Sequence, residues 1–380
     1  MSVSVRVFQN ISCSSDRRTF LKTFGAATST VMLSNLVGCE LATSPPSSTT
    51  HPSHLVRFGH TDLFVSKLCQ GTAFRTHLSR EGGNAEAHKL LRHCVDTGIN
   101  FFDTAESYGW GGSETALGRG ISGLRDKVII ATKAAPGSDS GEPLIFTKEI
   151  LTKKVEGSLK RLATDYIDLY LLHGPDKSTP SDDRQVSSSK SSTQKHMQEI
   201  ADIMDGLVRS GKIRYWGVSN HLSKQVCELV KLGMRPEESR MAGLEDYYNI
   251  VAGPRRDFMV NELFPLINKG NLGLMAFSPL GEGRLVPGRK VEEGSPLIET
   301  IKTLDEVAIE LGVSRPQICV AWVASHPEVT SVLSGAEKPE HVEENFKGTE
   351  LQLPAEVLQN LNTAANDYTT RVAQQKTESS

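Results

Sequence analysis

The sequence predicts an α/β fold: a single (β/α)8 TIM barrel, preceded by an N-terminal hairpin and followed by a C-terminal helix. Three observations predict it. Eight short apolar runs of strand character alternate with segments of helical, 3.6-residue period, and strands that alternate with helices pair in parallel. Eight such units are enough to close the sheet on itself. Several runs also end in polar residues for which a buried strand has no use: Asp103, Lys133, His173, Ser219 and Asn220. In a barrel these ends lie far apart in sequence but share one face, the face that carries the chemistry of such folds.

The elements follow in order. VRFGHTDLFVSK, residues 56–67, places two short apolar stretches around a Gly-containing turn and reads as the hairpin. The eight strand candidates are 67–71, 99–103, 128–133, 167–173, 213–220, 241–249, 273–280 and 329–335. The helical periods cover 85–96, 113–121, 147–162, 196–209, 223–232, 262–269, 297–311 and 315–324. The barrel with its last helix is expected over 55–370, and 371–380 as a disordered tail. Residues 177–195, KSTPSDDRQVSSSKSSTQK, form a polar, Ser-rich insertion longer than most connections. It reads as a solvated, disordered loop; the alternative, since it follows the strand end at His173, is a cover for the pocket.

Composition narrows the function classes. The 380 residues are 38% hydrophobic and 23% charged with a formal charge of -3, so no basic excess points to nucleic acid. No run of 18 or more apolar residues marks a membrane span. Residues 1–38 carry Arg17-Arg18 followed by a moderately apolar, small-residue run, the pattern of a twin-arginine signal segment. Leu36-Val37-Gly38-Cys39 resembles a bacterial lipobox, and 39–54 is a Ser/Thr/Pro-rich flexible tether. The expectation is an exported bacterial protein, periplasmic or anchored by a lipid on Cys39, with the twin-arginine export machinery as a partner. If the leader is idle, the protein is cytoplasmic. Cys69, Cys94, Cys227 and Cys319 stand singly inside apolar patterns without metal or redox spacing and read as small buried hydrophobes.

The chemistry-bearing stretch is 99–133, INFFDTAESYGWGGSETALGRGISGLRDKVIIATK. It brings Asp103, Tyr108 and Lys133 into one segment. A phenol of pKa about 10 becomes a usable acid near neutral pH when a cation stabilises the phenolate; Lys133 is that cation and Asp103 its anchor. Each residue taken alone reads instead as a surface ion pair or a half-buried tyrosine. Gly118-Arg119-Gly120-Ile121-Ser122-Gly123 matches GxGxxG, but it follows a helix and precedes a strand, the reverse of a dinucleotide-binding turn.

DTAESYG, GGSE, IIATK, SLKRLATDYIDLYLLHGPD, GKIRYWGVSN and FSPLGEG together resemble the aldo-keto reductase superfamily, from about Val56 to the last helix. The resemblance implies a catalytic tetrad of Asp103, Tyr108, Lys133 and His173, with Tyr108 as general acid/base and His173 orienting the substrate carbonyl. It implies a nicotinamide cofactor bound without a Rossmann fold, NADP(H) ahead of NAD(H). Ser219, Asn220 and Glu245 would meet the carboxamide, and Phe277 would stack on the nicotinamide. Ser278, Pro279 and Leu280 would follow the pyrophosphate, and Gly71 and Thr72 would line the site. Gly335, Lys338, His341, Glu344 and Asn345 would reach the adenosine end, with Glu344 and Asn345 at the start of the helix after the eighth strand. Two positions depart from the family's pattern: Glu245 stands where Gln is usual, and Glu337 adjoins Lys338, the one candidate cation for a 2′-phosphate.

The implied activity is NAD(P)H-dependent reduction of an aldehyde or ketone, or oxidation of the matching alcohol or sugar, on a small carbonyl or sugar substrate. The alternative is a non-catalytic nucleotide-binding barrel acting as a redox sensor or scaffold. A barrel hydrolase is disfavoured, since no suitably placed carboxylate pair stands out. No metal site is expected.

Overall fold

The computed structural model describes residues 55–74, 78, 85–138, 141–178, 190–233 and 241–378. The expected leader, the tether, Cys39 and most of the Ser-rich insertion lie outside the described residues.

The hairpin is present as β1 (Leu55–Arg57) paired antiparallel with β2 (Phe64–Ser66). Eight parallel strands then close the barrel in the order β10-β3-β4-β5-β6-β7-β8-β9. They are β3 (Leu68–Gly71), β4 (Phe101–Asp103), β5 (Ile129–Ala134), β6 (Ile167–Leu172), β7 (Ile213–Ser219), β8 (Met241–Tyr247), β9 (Gly273–Phe277) and β10 (Ser331–Ser334). β5 and β6 are buried at every position, as strands covered on both faces must be. Helices form the outer layer, and their ends obey local chemistry. Thr147 caps Lys148–Leu162 by accepting from the Ile150 amide at 3.3 Å. Ser314 and Gln317 make a reciprocal capping box at the start of Arg315–Ala324.

The hairpin closes the end of the barrel opposite the strand C-termini. Phe58 is wholly buried there, edge-on to Phe101 at 5.8 Å between ring centres. It fits because β8 and β9 offer glycines: a Cβ on Gly273 would stand 2.5 Å from the Phe58 ring, and one on Gly243 would stand 2.2 Å from the Gly273 carbonyl oxygen. Leu63 and Val65 join Phe58 in the apolar filling of the barrel, with Phe101, Ala131, Leu169, Met275 and Leu333.

Several boundaries move. The helix predicted over 262–269 begins at Pro254 and runs through Pro254–Phe258, a π-helical stretch Met259–Leu263 and Phe264–Gly270. The helix expected at 196–209 is Lys190–Arg209, so it takes up the end of the Ser-rich insertion. The helix after β10 is Pro339–Glu350, which puts Glu344 and Asn345 in its second turn rather than at its start. The C-terminal helix, Ala355–Glu378, continues through most of the stretch expected to be a tail. Cys69, Cys94 and Cys319 are buried, as expected, and Cys227 is half-buried. No grouping of His, Cys, Asp and Glu suited to a metal is found among the described residues. Nor is any single helix among them long and apolar enough to cross a membrane.

Candidate active site

Lys133 projects from β5 and is fully buried, a position a lysine tolerates only when counter-charges and acceptors surround it. Its Nζ donates to Asp103 Oδ1 at 2.6 Å, to the Thr104 carbonyl at 3.0 Å and to Tyr108 Oη at 3.2 Å. A second carboxyl is also there: Glu245 Oε2, from β8, lies 3.2 Å from the same ammonium. The barrel thus brings together three strand residues, Asp103, Lys133 and Glu245, and one loop residue, Tyr108.

Tyr108 follows β4 in a loop tied to β5 by main-chain bonds, Thr104 N to Ala131 O at 2.9 Å and Glu106 N to Lys133 O at 3.2 Å. After it the backbone passes through three left-handed residues, Gly109 (φ 56°), Trp110 (φ 55°) and Gly111 (φ 84°). Trp110 has no steric freedom to favour that region, and its side chain is 90% exposed. The GGSE segment anchors the loop. Ser113 Oγ donates to the Thr72 carbonyl at 2.8 Å, while buried Glu114 accepts from Thr132 Oγ1 at 2.6 Å and from Arg161 Nε at 2.5 Å. Thr72 itself bonds the Asp103 carbonyl through both its amide, at 2.8 Å, and its hydroxyl, at 3.0 Å. Gly71 pairs with Asp103 in the sheet. Gly71 and Thr72 therefore brace Asp103.

His173 follows β6 and stands edge-on to the Tyr108 ring, 5.6 Å between centres. Its carbonyl accepts from Asn220 Nδ2 at 3.0 Å, and its Nδ1 lies 3.5 Å from Ser107 Oγ. Burial, helped by the Lys133 charge, pushes the imidazole down to about 3, so it is neutral at physiological pH with a single ring N–H to offer. The phenol departs from expectation. Lys133 does pull the Tyr108 pKa down, but burial outweighs it and the Asp103 and Glu245 charges add to the upward push, so the phenol sits above its ordinary value. Tyr108 is accordingly a protonated donor at neutral pH.

One part of the site was not foreseen from the sequence. Lys154, from the helix Lys148–Leu162, is buried and donates to Glu106 Oε1 at 2.8 Å and to Ser138 Oγ at 2.6 Å. It also pairs with Glu142 at 2.8 Å. Glu106 further accepts from Ser138 Oγ at 2.8 Å and from the Ala135 amide at 3.0 Å. This network fixes the loop two residues before Tyr108. Its sequence signal was a lysine at 154 on the apolar face defined by Leu151, Val155 and Leu162.

The residues implied for a cofactor fall into two groups. At the mouth, Ser219 ends β7 opposite Glu245 of β8, and Asn220 next to it is left-handed with φ 58°. Phe277 ends β9, 5.5 Å from the Tyr247 ring. Ser278 after it is left-handed, φ 62°, its carbonyl held by Asn249 Nδ2 at 3.0 Å, and the chain continues through Pro279 and Leu280 into Gly281, Glu282 and Gly283, all with positive φ. Glu245 Oε2 is buried with only its 3.2 Å approach to Lys133 Nζ to compensate it and no geometrically good hydrogen bond, which leaves room for an amide N–H donor arriving from the mouth. At the far end, Gly335, Lys338 and His341 are exposed around the start of Pro339–Glu350; Pro339 has no amide hydrogen and the His341 and Val342 amides bond the Lys338 carbonyl at 3.1 Å, so the Lys338 side chain is the group there that would meet an anion. Asn345 is instead buried and spent on Ser334 Oγ at 2.9 Å, and Glu344 is half-buried beside it.

A closed parallel barrel with a buried ammonium, a phenol and carboxyl groups clustered at the C-terminal mouth has the layout of an α/β-barrel enzyme. The aldo/keto reductase family profile matches residues 67–366, and the chain belongs to that family. It is 31% identical over 327 residues to the uncharacterized oxidoreductase YrpG of Bacillus subtilis (strain 168), covering 80% of this chain and 93% of that protein. It is 29% identical over 319 residues to a probable voltage-gated potassium channel subunit beta of Oryza sativa subsp. japonica, covering 77% of this chain and 90% of that one. Among solved structures it is similar to the thermostable aldo-keto reductase Tm1743, determined with the inhibitor epalrestat: TM-score 0.64 and 28% identity, covering 82% of this chain and 99% of that one.

Proposed function

We propose that the protein reduces a small aldehyde, ketone or sugar carbonyl with NAD(P)H, or runs the reverse oxidation, with Tyr108 giving or taking the proton. The observation that carries this reading is the contact of Lys133 Nζ with Tyr108 Oη at 3.2 Å inside a buried cluster that also holds Asp103. The nicotinamide, when bound, supplies the hydride. Ser219, Asn220, Glu245 and Phe277 are the groups that would hold its ring end, and Gly335, Lys338 and His341 the phosphate-bearing end. Lys338, an exposed cation at the start of Pro339–Glu350, supports NADP(H) ahead of NAD(H).

Tyr108 then works as a positioned acid. Its hydroxyl gives a proton to the substrate oxygen, and the phenolate left behind is stabilised by the Lys133 ammonium. Asp103 holds Lys133 in place. Neutral His173, edge-on to the phenol, donates to the same substrate oxygen. The test is a screen of aldehydes, ketones and sugars for NADPH and NADH consumption by the purified protein. Turnover of one carbonyl class with a nucleotide preference supports the reading, and no consumption with any carbonyl overturns it. A sensor or scaffold barrel that binds nucleotide without turning over is the second reading, favoured by the similarity to a channel subunit. Nucleotide binding without turnover in that screen would select it.

Export is part of the same proposal. Folded, cofactor-loaded protein crossing by the twin-arginine route accounts for a secreted chain whose cysteines follow no disulfide framework. Arg17→Lys with Arg18→Lys should then retain the protein in the cytoplasm, read by fractionation. Wild-type protein found there with residues 1–38 intact would contradict the export.

A further inference from the structure

One ammonium in this site faces two carboxyl groups. Lys133 Nζ is 2.6 Å from Asp103 Oδ1 and 3.2 Å from Glu245 Oε2, and the three side chains are 0%, 2% and 4% exposed. The two carboxyls also lie within hydrogen-bonding reach of each other. The other groups facing them are the Tyr108 hydroxyl, the Thr104 carbonyl and the thiol of Cys69 from β3. In sheet register Glu245 lies between Ser219 and Met275, and the interior beneath is apolar. Among the described residues, Lys133 is the one cation within ion-pair distance of either carboxyl. With both carboxyls ionised, a dry pocket would hold a net negative charge next to a phenol that must itself become an anion in use, and low-dielectric surroundings oppose that strongly.

We propose that Asp103 and Glu245 share a single proton, and that this proton is the reserve from which Tyr108 is recharged through Lys133. Glu245 is then a positioning residue for a proton, acting through Lys133, and its replacement of the usual amide has a chemical consequence. The second half of the proposal rests on Tyr108 being the proton donor; the shared proton does not. The step balances. Tyr108 loses its phenolic proton to the substrate oxygen, breaking one O–H bond and forming another. The phenolate takes a proton from Lys133 Nζ, Lys133 regains one from the carboxyl pair, and the pair is refilled from water at the mouth. No electrons pass to or from these groups beyond the bonding pairs. Burial, then the Asp103 charge, push Glu245 well above the usual carboxylate range, which places the proton mainly there.

Infrared difference spectroscopy of wild type against Glu245→Gln at neutral pH tests the shared proton. The expected signature is the carbonyl stretch of a buried protonated carboxylic acid in the wild type, shifted in deuterium oxide and absent from the variant. Asp103→Asn serves as a second variant: it leaves Glu245 alone with Lys133, so the pair becomes one-to-one, Glu245 ionises and the band disappears there too. A wild-type spectrum with carboxylate bands only overturns the proposal, as does a band that persists in both variants. In turnover, Glu245→Gln should lower kcat by about tenfold and remove one ionisation from its pH profile, because the donor survives and only its recharging slows. A wild-type pH profile in that variant overturns the reserve role. A protein that shows the band but reduces no carbonyl keeps the shared proton and loses the reductase reading, so the two failures are distinguishable.

Discussion

At the scale of single residues, the site works by charge compensation. Lys133 holds two buried carboxyls and a phenol, so Lys133→Met should remove both the support of the phenolate and the partner of Asp103 and Glu245. Carbonyl reduction is expected to fall by about a hundredfold or more, and stability by about 3 kcal/mol from the uncompensated buried charge. Steady-state kinetics and a denaturant melt read the two separately; unchanged values in both would contradict the cluster. His173 gives a pH prediction. Its imidazole is lowered to about 3 in the folded protein, so between the ordinary histidine value and that point the unfolded chain binds the extra proton, and stability falls as pH drops through this window. His173→Gln should therefore flatten the acid limb of a melting-temperature profile, and an unaltered limb would show that the ring is not held neutral. That Asp103, Tyr108, Lys133 and His173 would meet at one end of the barrel was legible in the sequence, because each ends an apolar run or follows one closely. Glu245 was legible as a mouth residue but not as a partner of Lys133, since spacing along the chain does not say which side chains meet across a barrel. The raised Tyr108 was likewise illegible, because it depends on burial.

At the scale of elements, the loops above the barrel are held by buried ion pairs. Lys154→Met leaves Glu106 and Glu142 facing each other without their cation and should cost about 3 kcal/mol in a denaturant melt, with a looser Tyr108 loop and a lower kcat. A loss below ~1 kcal/mol would show that water replaces the ammonium. The helix Lys190–Arg209 is tied to the β6 loop by His196 Nε2 and Asp176 Oδ2 at 2.8 Å. Hydrogen bonding to Asp176 raises the His196 pKa, so this tie is fully present below the ordinary histidine value and is lost as pH rises through the elevated one. His196→Gln should remove about 1 kcal/mol at low pH and almost nothing at high pH, measured as two melts; an equal loss at both would contradict the assigned charge. Helix 297–311 was readable to the residue because Gly312 (φ 64°) stops it, whereas the start at Pro254 was hidden by a π-helical turn that breaks the 3.6-residue period.

At the scale of the whole molecule, the order of strands and helices was readable because each of the eight units repeats the same alternation, and a parallel strand needs its crossover helix. The seating of the hairpin was not, because Phe58 fits over Gly243 and Gly273 only once strands far along the chain have assembled. Gly273→Val should overpack that end and cost about 1–3 kcal/mol, with the site chemistry intact; a neutral melt would mean that the plug yields. On the proposed reading the barrel holds Tyr108 against Lys133 at the opposite end for proton transfer, and this is tested most directly by comparing wild type with Tyr108→Phe. The measurement is kcat/KM on the best carbonyl substrate beside a nucleotide titration. The expected result is nucleotide affinity within about threefold of wild type and a loss of about 10²–10⁴-fold in carbonyl reduction. Wild-type turnover by Tyr108→Phe would contradict the account.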